Sequence, residues 1–292
     1  MRIIVVSLYC LISILGYSQK YGNAWIVGYS NDSTFIPKIG KTVLNFSTGK
    51  LEFEYTFGQR KPDLGFTNAS LATIDGKLKY FTDGYNIYSG DQNVISNGDS
   101  INFGPIWVDY DVGGYPTEYN HVFLPMPGKE STETILLHFN LDYYDPPLTE
   151  RFTITPNFKM SKIRWDTVTG RDAVLFKDSI ILKGDFIQKH MACTRHANGR
   201  DWWIIIEDYL TNNHRMFLLD PTGIHLKSIQ KIGIPADSSD WTGNSLFTPN
   251  GMQYIKYLRG YQIKIFDFDR CYGELSNPQV IINDKTSTSS VN

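Results

Sequence analysis

The sequence has no excess of charge of either sign. Among its 292 residues, 28 are lysine or arginine and 30 are aspartate or glutamate, so the formal net charge is −2. A balance this close to zero creates no field that would attract nucleic acid or an anionic membrane surface. We therefore expect neither nucleic acid nor a charged lipid surface as a partner.

Long apolar runs are missing beyond the first residues. No later segment reaches the ~18 consecutive apolar residues of a transmembrane helix, so no membrane span is predicted. The N-terminus is typical of an export signal, because Arg2 precedes the largely apolar residues 3–15 and the small residues Gly16 and Ser18. We expect residues 1–18 to be a signal peptide and the protein to be secreted, either extracellular or periplasmic. The alternative for this stretch is a buried first strand or helix.

Cysteine is also scarce. Cys10 lies within the expected signal, which leaves Cys193 and Cys271. In an oxidising compartment these two residues could pair, and the alternative is two separate thiols. A disulfide needs Cα atoms about 4.4–6.8 Å apart, a distance that the sequence does not fix.

Motifs for catalysis and cofactor binding are missing. There is no Gly-x-Ser-x-Gly elbow, no Cys-His protease signature, no GxGxxG loop after a strand and no Walker sequence. The six histidines form no HxH or HExxH pattern. We therefore predict no catalytic residue, no metal site and no cofactor.

Calcium is an alternative to the prediction of no cofactor. Asp109-x-Asp111 and Asp267-x-Asp269 each offer two carboxylates that share one face of a strand, and calcium prefers oxygen ligands. Neither pair belongs to a full Asp-x-Asp-x-Asp-Gly loop. The other interpretation is that these carboxylates are solvated on the surface of a strand.

Aromatic and turn-forming residues are abundant. The chain has 18 Tyr, 17 Phe and 6 Trp, together with 24 Gly and 13 Pro. This composition favours short strands joined by tight turns, and no helical periodicity ten residues long follows the expected signal.

A repeat runs through the chain. Residues 70–76 and 245–251 both have the pattern S-L-x-T-x-(D/N)-G, and each is followed by a β-rich run and by Gly-Tyr-x-Ile. Weaker copies occur elsewhere, so the anchor glycines of five units are Gly22, Gly76, Gly128, Gly199 and Gly251. Three of the four intervals between them are about 50 residues, and the interval from Gly128 to Gly199 is longer.

A four-stranded antiparallel unit repeated about every 40–50 residues is typical of a propeller blade. We therefore predict an all-β fold, a β-propeller of four-stranded antiparallel blades with about five units over residues 20–283. Residues 284–292 are expected to form a disordered polar tail. The sequence leaves open whether five blades close a ring or belong to an incomplete larger propeller. The long interval predicts an insertion around residues 141–155 that forms a loop at the rim.

One turn and the strand after it supply candidate binding residues. Trp202 and Trp203 cannot lie on the same face of a strand, so one packs between sheets and the other meets the opposite face. Core packing is one interpretation, and an aromatic platform for a sugar or peptide is the other. His196 and Arg200 flank the preceding turn, so the predicted binding set is His196, Arg200, Trp202 and Trp203.

Several stretches resemble a known family. The most specific is HANGRDWW at residues 196–203, and others lie at 65–70, 80–84, 97–100, 246–251 and 266–278. They are similar to the exported, WD40-like β-propeller proteins of Bacteroidota, many of which carry a C-terminal sorting domain for type IX secretion. The resemblance implies a propeller and an extracytoplasmic location, and it implies no particular chemistry. Members of this family usually continue with further blades and then the sorting domain, which we do not expect in this sequence.

The sequence therefore supports three functional hypotheses. The first is a non-catalytic extracytoplasmic binding or scaffold module that recognises a protein or a glycan. The second is a carbohydrate-active enzyme, a glycoside hydrolase or lyase, with a pair of acids drawn from residues such as Asp83, Glu207 and Asp208. The third is a truncated family member without an independent function.

Overall fold

A computed structural model of the protein describes residues 20–28, 40–57, 62–110, 114–148, 151–237, 240, 243–258 and 262–282. The strands in these ranges form five antiparallel sheets, and each sheet contains only strands that follow one another along the chain. This is the predicted all-β propeller of five blade units. The expected signal peptide and polar tail lie outside the described residues.

The first two blades have three strands each in the described part of the chain. After its third strand, the second blade has only an isolated antiparallel bridge between Tyr88 and Val94. The strands of the first blade are β1 (Ala24–Gly28), β2 (Gly40–Asn45) and β3 (Glu52–Phe57), and those of the second are β4 (Ala69–Ala72), β5 (Leu78–Thr82) and β6 (Ile87–Ser89).

The other three blades have four strands each. A short helix, α1 (Pro105–Asp109), separates the second blade from the third. The strands of the third blade are β7 (His121–Pro125), β8 (Glu133–Leu148), β9 (Arg151–Asp166) and β10 (Arg171–Lys183). The fourth has β11 (Ala192–Arg195), β12 (Trp202–Glu207), β13 (Asn213–Asp220) and β14 (Gly223–Lys231), and the fifth has β15 (Asn244–Phe247), β16 (Gln253–Leu258), β17 (Gln262–Asp269) and β18 (Glu274–Ile282).

The inserted residues of the longest repeat lengthen two strands. β8 and β9 have sixteen residues each, and their pairing continues to Leu148 and Arg151 with register shifts on the way. The predicted loop around residues 141–155 is therefore wrong, and the insertion is the end of a long hairpin. The loop was predicted because of its two prolines, which lack the N–H group of a ladder hydrogen bond. A register shift lets a strand accommodate such residues.

Four of the five predicted anchor glycines occupy equivalent turns. Gly76, Gly128, Gly199 and Gly251 follow the first strand of their blades with φ of 91°, 75°, 73° and 71°, a region that favours glycine. Gly22 instead precedes β1, so it is not the equivalent residue of the first blade.

The core consists of apolar clusters between consecutive blades. The first strands lie side by side, since β1 contacts β4, β4 contacts β7 and β11 contacts β15. Representative residues at the successive interfaces are Ile26 with Phe81, Tyr80 with Leu136, Phe139 with Ile204, and Trp203 with Phe266. Among the clusters formed by the described residues, none joins the fifth blade to the first.

The two remaining cysteines are both free thiols. Cys193 lies in β11, where burial raises the pKa of its thiol, and Cys271 is exposed in the turn after β17. In the part of the chain that the structure describes, no helix has the length and apolar character to cross a membrane.

Candidate binding site

The two tryptophans predicted to bind a ligand lie on opposite faces of β12. Trp202 packs on the cluster shared with the third blade, and its Nε1 donates a hydrogen bond to the Pro125 carbonyl at 3.2 Å. Trp203 is only 3% exposed and packs on the fifth blade, where its Nε1 donates to the Arg270 carbonyl at 2.8 Å. Both indoles therefore connect neighbouring blades.

The polar members of the predicted set also make contacts within the chain. The His196 ring stacks on Trp203 with centroids 5.6 Å apart, and the Arg200 guanidinium pairs with Asp201 at 2.7 Å. The Arg195 guanidinium lies 3.7 Å from the ring centre of Trp202. A ligand role for His196, Arg200, Trp202 and Trp203 stays a prediction, since these contacts account for their positions without a ligand.

Glu207, one of the predicted acids, belongs to a buried ion cluster between the fourth and fifth blades. Lys256 Nζ lies 2.7 Å from Glu207 Oε2 and 2.8 Å from Asp240 Oδ2. Lys264 Nζ is 3.1 Å from Asp240, and the Tyr254 hydroxyl donates to Glu207 Oε1 at 2.6 Å. The two carboxylates therefore surround an ammonium group, whereas a glycosidase needs two carboxyl groups that flank a substrate.

Burial and charge oppose one another in this cluster. Burial alone would lower the pKa of Lys256, but the Glu207 and Asp240 carboxylates raise it above its usual value. Burial alone would raise the pKa of Glu207, but Lys256, His214 and His190 together hold it below its usual value. Both groups are thus charged at neutral pH, and each stabilises the charge of the other.

The other two predicted acids have structural partners as well. Asp208 accepts a hydrogen bond from Arg215 Nε at 2.6 Å. Asp83 accepts hydrogen bonds from two backbone N–H groups and from the Tyr88 hydroxyl, and burial raises its pKa despite them. None of Asp83, Glu207 and Asp208 is therefore arranged as an open catalytic acid.

Three of the four carboxylates considered for calcium have hydrogen-bond partners within the chain. Asp267 accepts from the Asn277 amide, Asp269 accepts from the Cys271 backbone N–H, and Asp109 accepts from the Tyr143 hydroxyl. Asp111 lies outside the described residues. Within the described ranges, no group of three or more histidine, cysteine or acidic side chains is arranged to hold a metal ion.

A cavity of about 520 Å³ lies beside the first strands of the first two blades. Its volume is in the range of small-molecule sites. Three aromatic side chains, each about half exposed, stand in its wall with an amide, a hydroxyl and a carboxylate. The lining residues are Trp25, Val27, Gly65, Phe66, Asn68, Ser70, Glu118 and Tyr119.

Trp25 is held in position from one side. Its Nε1 donates to the Gly22 carbonyl at 2.8 Å, and its ring meets Phe46 edge to face with centroids 5.2 Å apart. Half of the side chain nevertheless stays exposed, on the side of the cavity. An aromatic ring fixed in this way loses little entropy when a ligand stacks on it.

Tyr119 has an unusual backbone conformation. Its φ is 55°, which is rare for a bulky residue and costs free energy that the surroundings must supply. The neighbouring Asn120 is fully buried and accepts a hydrogen bond from the backbone N–H of Lys189. The fold therefore holds the exposed Tyr119 ring at the cavity at some energetic cost.

The polar residues of the cavity connect its two walls. Asn68 Nδ2 and Ser70 Oγ, on the side of β4, donate to the Ile26 and Ala24 carbonyls of β1. Glu118 is about half exposed and pairs with Lys189 at 3.1 Å. Hydroxyl, amide and carboxylate groups thus lie between the aromatic rings, an arrangement that can stack on a ligand and form hydrogen bonds with it.

Sequence reasoning missed this cavity. Trp25, Phe66 and Tyr119 come from three separate stretches, and no motif connects them. A usable signal existed in β1, because Trp25 alternates with the buried Ile26 and therefore lies on the opposite face of the strand. The cavity lies along the sides of β1 and β4, whereas the predicted set lies in the turn between β11 and β12 and at the start of β12.

Comparisons with known proteins give weak similarities. No family model matches the chain, and no curated protein matches it either. A functionally unknown protein from Desulfotomaculum acetoxidans has 11% identity and a TM-score of 0.42, with 89% of this chain and 69% of that chain covered. The Dos1 propeller has 14% identity and a TM-score of 0.37, with 86% and 56% covered.

A third similar structure, from Bacteroides uniformis, is provisionally named a 6-phosphogluconolactonase. It has 14% identity and a TM-score of 0.38, with 89% of this chain and 83% of that chain covered. Similarities at this level identify neither a family nor a ligand. The propeller architecture follows from the five consecutive sheets.

Proposed function

We propose that this protein is a non-catalytic, exported binding module and that the cavity beside β1 and β4 takes a glycan. The observation that carries this proposal is the cavity wall, in which Trp25, Phe66 and Tyr119 present half-exposed rings beside Asn68 and Glu118. Sugar rings offer apolar faces for stacking and hydroxyl groups for amide and carboxylate partners. The export signal expected at residues 1–18 supports an extracytoplasmic ligand.

The enzyme hypothesis is less well supported. Glu207 pairs with a lysine and Asp208 with an arginine. Asp83 is buried and accepts three hydrogen bonds. A glycosidase would need two of its carboxyl groups in an open cleft. The cavity contains a single carboxylate, Glu118, so binding without cleavage is the function that its composition favours.

A glycan array probed with the full chain tests the proposal. We expect a restricted set of bound oligosaccharides, and Trp25→Ala and Phe66→Ala should each weaken the best of them about tenfold in calorimetric titration. Stacking on one ring is worth about 0.5–1.5 kcal/mol beyond its buried area, and 1.4 kcal/mol corresponds to a factor of ten.

Trp165→Ala is the matched control, because Trp165 is also partly exposed but lies outside the cavity. This variant should bind as tightly as the wild type. An array without any bound glycan would overturn the carbohydrate assignment, and binding to a peptide array that depends on Trp25 would replace it with a protein ligand. Release of new reducing ends from a bound glycan would contradict the non-catalytic role.

A further inference from the structure

The outward face of the first blade is apolar, and none of the blades in the described ranges covers it. Direct cross-strand pairing places Trp25, Leu44 and Phe53 in one row across the sheet, and Val27 and Tyr55 stand in the next row on the same face. Phe53 is 73% exposed. This face therefore presents side chains of the kind that pack between blades elsewhere in the molecule.

Charged residues of the first blade lie on its other face. Lys41, Glu52 and Glu54 pair with residues that share the side of Ile26, which packs on the second blade. The outward face has only apolar, aromatic and threonine side chains in its described rows. Exposed surface of this composition is unusual for a protein that works as an isolated chain.

The fifth blade has a corresponding face. Leu246, Ile255 and Ile265 form one row across the sheet, and Tyr257 and Ile263 lie in the next row. Tyr257 is 47% exposed, whereas the opposite face of the same sheet is buried on the fourth blade through Tyr254 and Phe266. The exposed face thus has an apolar patch over these two rows, beside the polar row of Gln253 and Asp267.

These two faces continue the interfaces inside the chain. Each internal junction joins the later face of one blade to the earlier face of the next, as Ile26 and Phe81 do between the first two blades. The earlier face of the first blade and the later face of the fifth blade remain exposed. No apolar cluster of described residues joins these two faces. The uncovered faces are therefore complementary halves of one more junction.

The area is sufficient for a specific contact. With aromatic side chains contributing 150–250 Å² each when buried, the two faces together expose on the order of 700 Å² of apolar surface. An interface that is about 60% apolar would then bury roughly 1,100 Å² in total, which is near the lower limit for stable protein contacts.

We propose that the protein self-associates, with the outward face of the fifth blade of one copy packed on the outward face of the first blade of a second copy. The contact is heterologous, so it either closes into a symmetric pair with two junctions or adds copies one after another. Trp25 and Val27 belong both to this face and to the cavity wall, so a glycan on Trp25 and a second copy would compete for that part of the face. The variants that test it, at Phe53 and Tyr257, do not line the cavity.

Sedimentation velocity of the full chain over a concentration series tests the proposal. The wild type should shift from one copy toward two or more as concentration rises. Phe53→Glu removes the first-blade face and Tyr257→Glu the fifth-blade face, so each variant alone should stay a monomer. An equimolar mixture should form a two-copy species and nothing larger, because one intact face remains on each chain.

Phe103→Glu and Tyr272→Glu are matched controls, since both residues are strongly exposed and lie outside the two faces. Both controls should associate as the wild type does, and circular dichroism should show the same strand content in all variants. A wild type that stays monomeric at every concentration would overturn the proposal. Self-association of Tyr257→Glu would also overturn it, because the first-blade face would then pair with itself.

Discussion

Lys256 shows how this propeller keeps charge inside a junction between blades. Its ammonium is almost completely buried and lies between the Glu207 and Asp240 carboxylates. Taking charges out of water is costly, and the cost is recovered only while every member of the cluster keeps its partner. The residue is therefore more important to stability than a lysine on the surface.

Lys256→Met should destabilise the protein by about 3–5 kcal/mol, because it leaves a buried carboxylate without its main cation. Glu207 would retain only the Tyr254 hydroxyl and a histidine 3.7 Å away. Urea unfolding at neutral pH measures the change in the free energy of unfolding.

Lys227→Met is the control for this prediction, since Lys227 is exposed on β14. Its free energy of unfolding should stay within about 0.5 kcal/mol of the wild type. Equal losses in the two variants would show that the buried cluster contributes nothing specific.

For single residues, the sequence predicts the orientation of a side chain along its strand better than the residues that the side chain contacts. The opposite orientation of Trp202 and Trp203 was predictable, because it depends only on the alternation of side chains along a strand. The contact of Trp203 with the turn after β17 was not predictable, since 67 residues separate Trp203 from Arg270. The same limit hid the cavity, whose aromatic residues come from three parts of the chain.

The strands and turns of each blade follow from local chemistry. Asp75-Gly76 and Asn250-Gly251 predict tight turns because glycine adopts positive φ without strain, and the structure confirms both turns. The hairpin of β8 and β9 was missed, because turn-forming residues were taken to end a strand that the cross-strand ladder continues. Local signals thus predict the turns of the repeat. They do not predict the long hairpin of β8 and β9, in which a register shift lets the strands continue past the prolines.

The turn between β17 and β18 provides a test of packing between elements. Gly273 has φ of 71°, and a Cβ at this position would lie about 2.5 Å from the Trp203 ring. Gly273→Ala should therefore cost the strain of a positive φ and also displace a buried indole from its place between two blades. We expect a loss of roughly 2–4 kcal/mol in thermal or urea unfolding.

Gly199→Ala separates these two contributions. Gly199 has φ of 73°, but a Cβ there would have no neighbouring atom within 4 Å. This variant should lose only about 1 kcal/mol from backbone strain. If both alanine variants lose the same amount, the contact between Gly273 and Trp203 is not a constraint on the junction.

Across the whole molecule, three fully buried histidines make stability depend on pH. Burial lowers the pKa of His121 to about 3 and of His190 to about 4, and it holds the pKa of His138 well below 6.5. Each histidine thus binds a proton more readily in the unfolded chain than in the folded one. Their contribution to stability is complete above about pH 6.5 and is lost as the pH falls toward the folded-state values.

Urea unfolding at pH 7, 6 and 5 should therefore give a free energy of unfolding that falls with acidity, by up to about 1.4 kcal/mol per pH unit for each buried histidine. The low pKa of Glu207 adds a further loss below its ordinary value of 4.5, because its carboxylate is protonated more readily in the unfolded chain. The free energy of unfolding should consequently decrease from pH 7 to pH 5, because His121, His138 and His190 each bind a proton more readily in the unfolded chain.

His190→Gln tests whether the buried histidines cause this slope. His190 faces Lys256, Glu207 and Asp240, so the substitution lowers stability at every pH, but it also removes one titrating group. The loss in the free energy of unfolding between pH 6 and pH 5 should then be smaller than in the wild type by up to about 1.4 kcal/mol, the value for one proton. His225→Gln is the control for the exchange of a histidine, because His225 is exposed and contacts Asp220 and Thr222 on the surface. A slope that is the same in both variants would mean that His190 does not contribute to the acid dependence of stability.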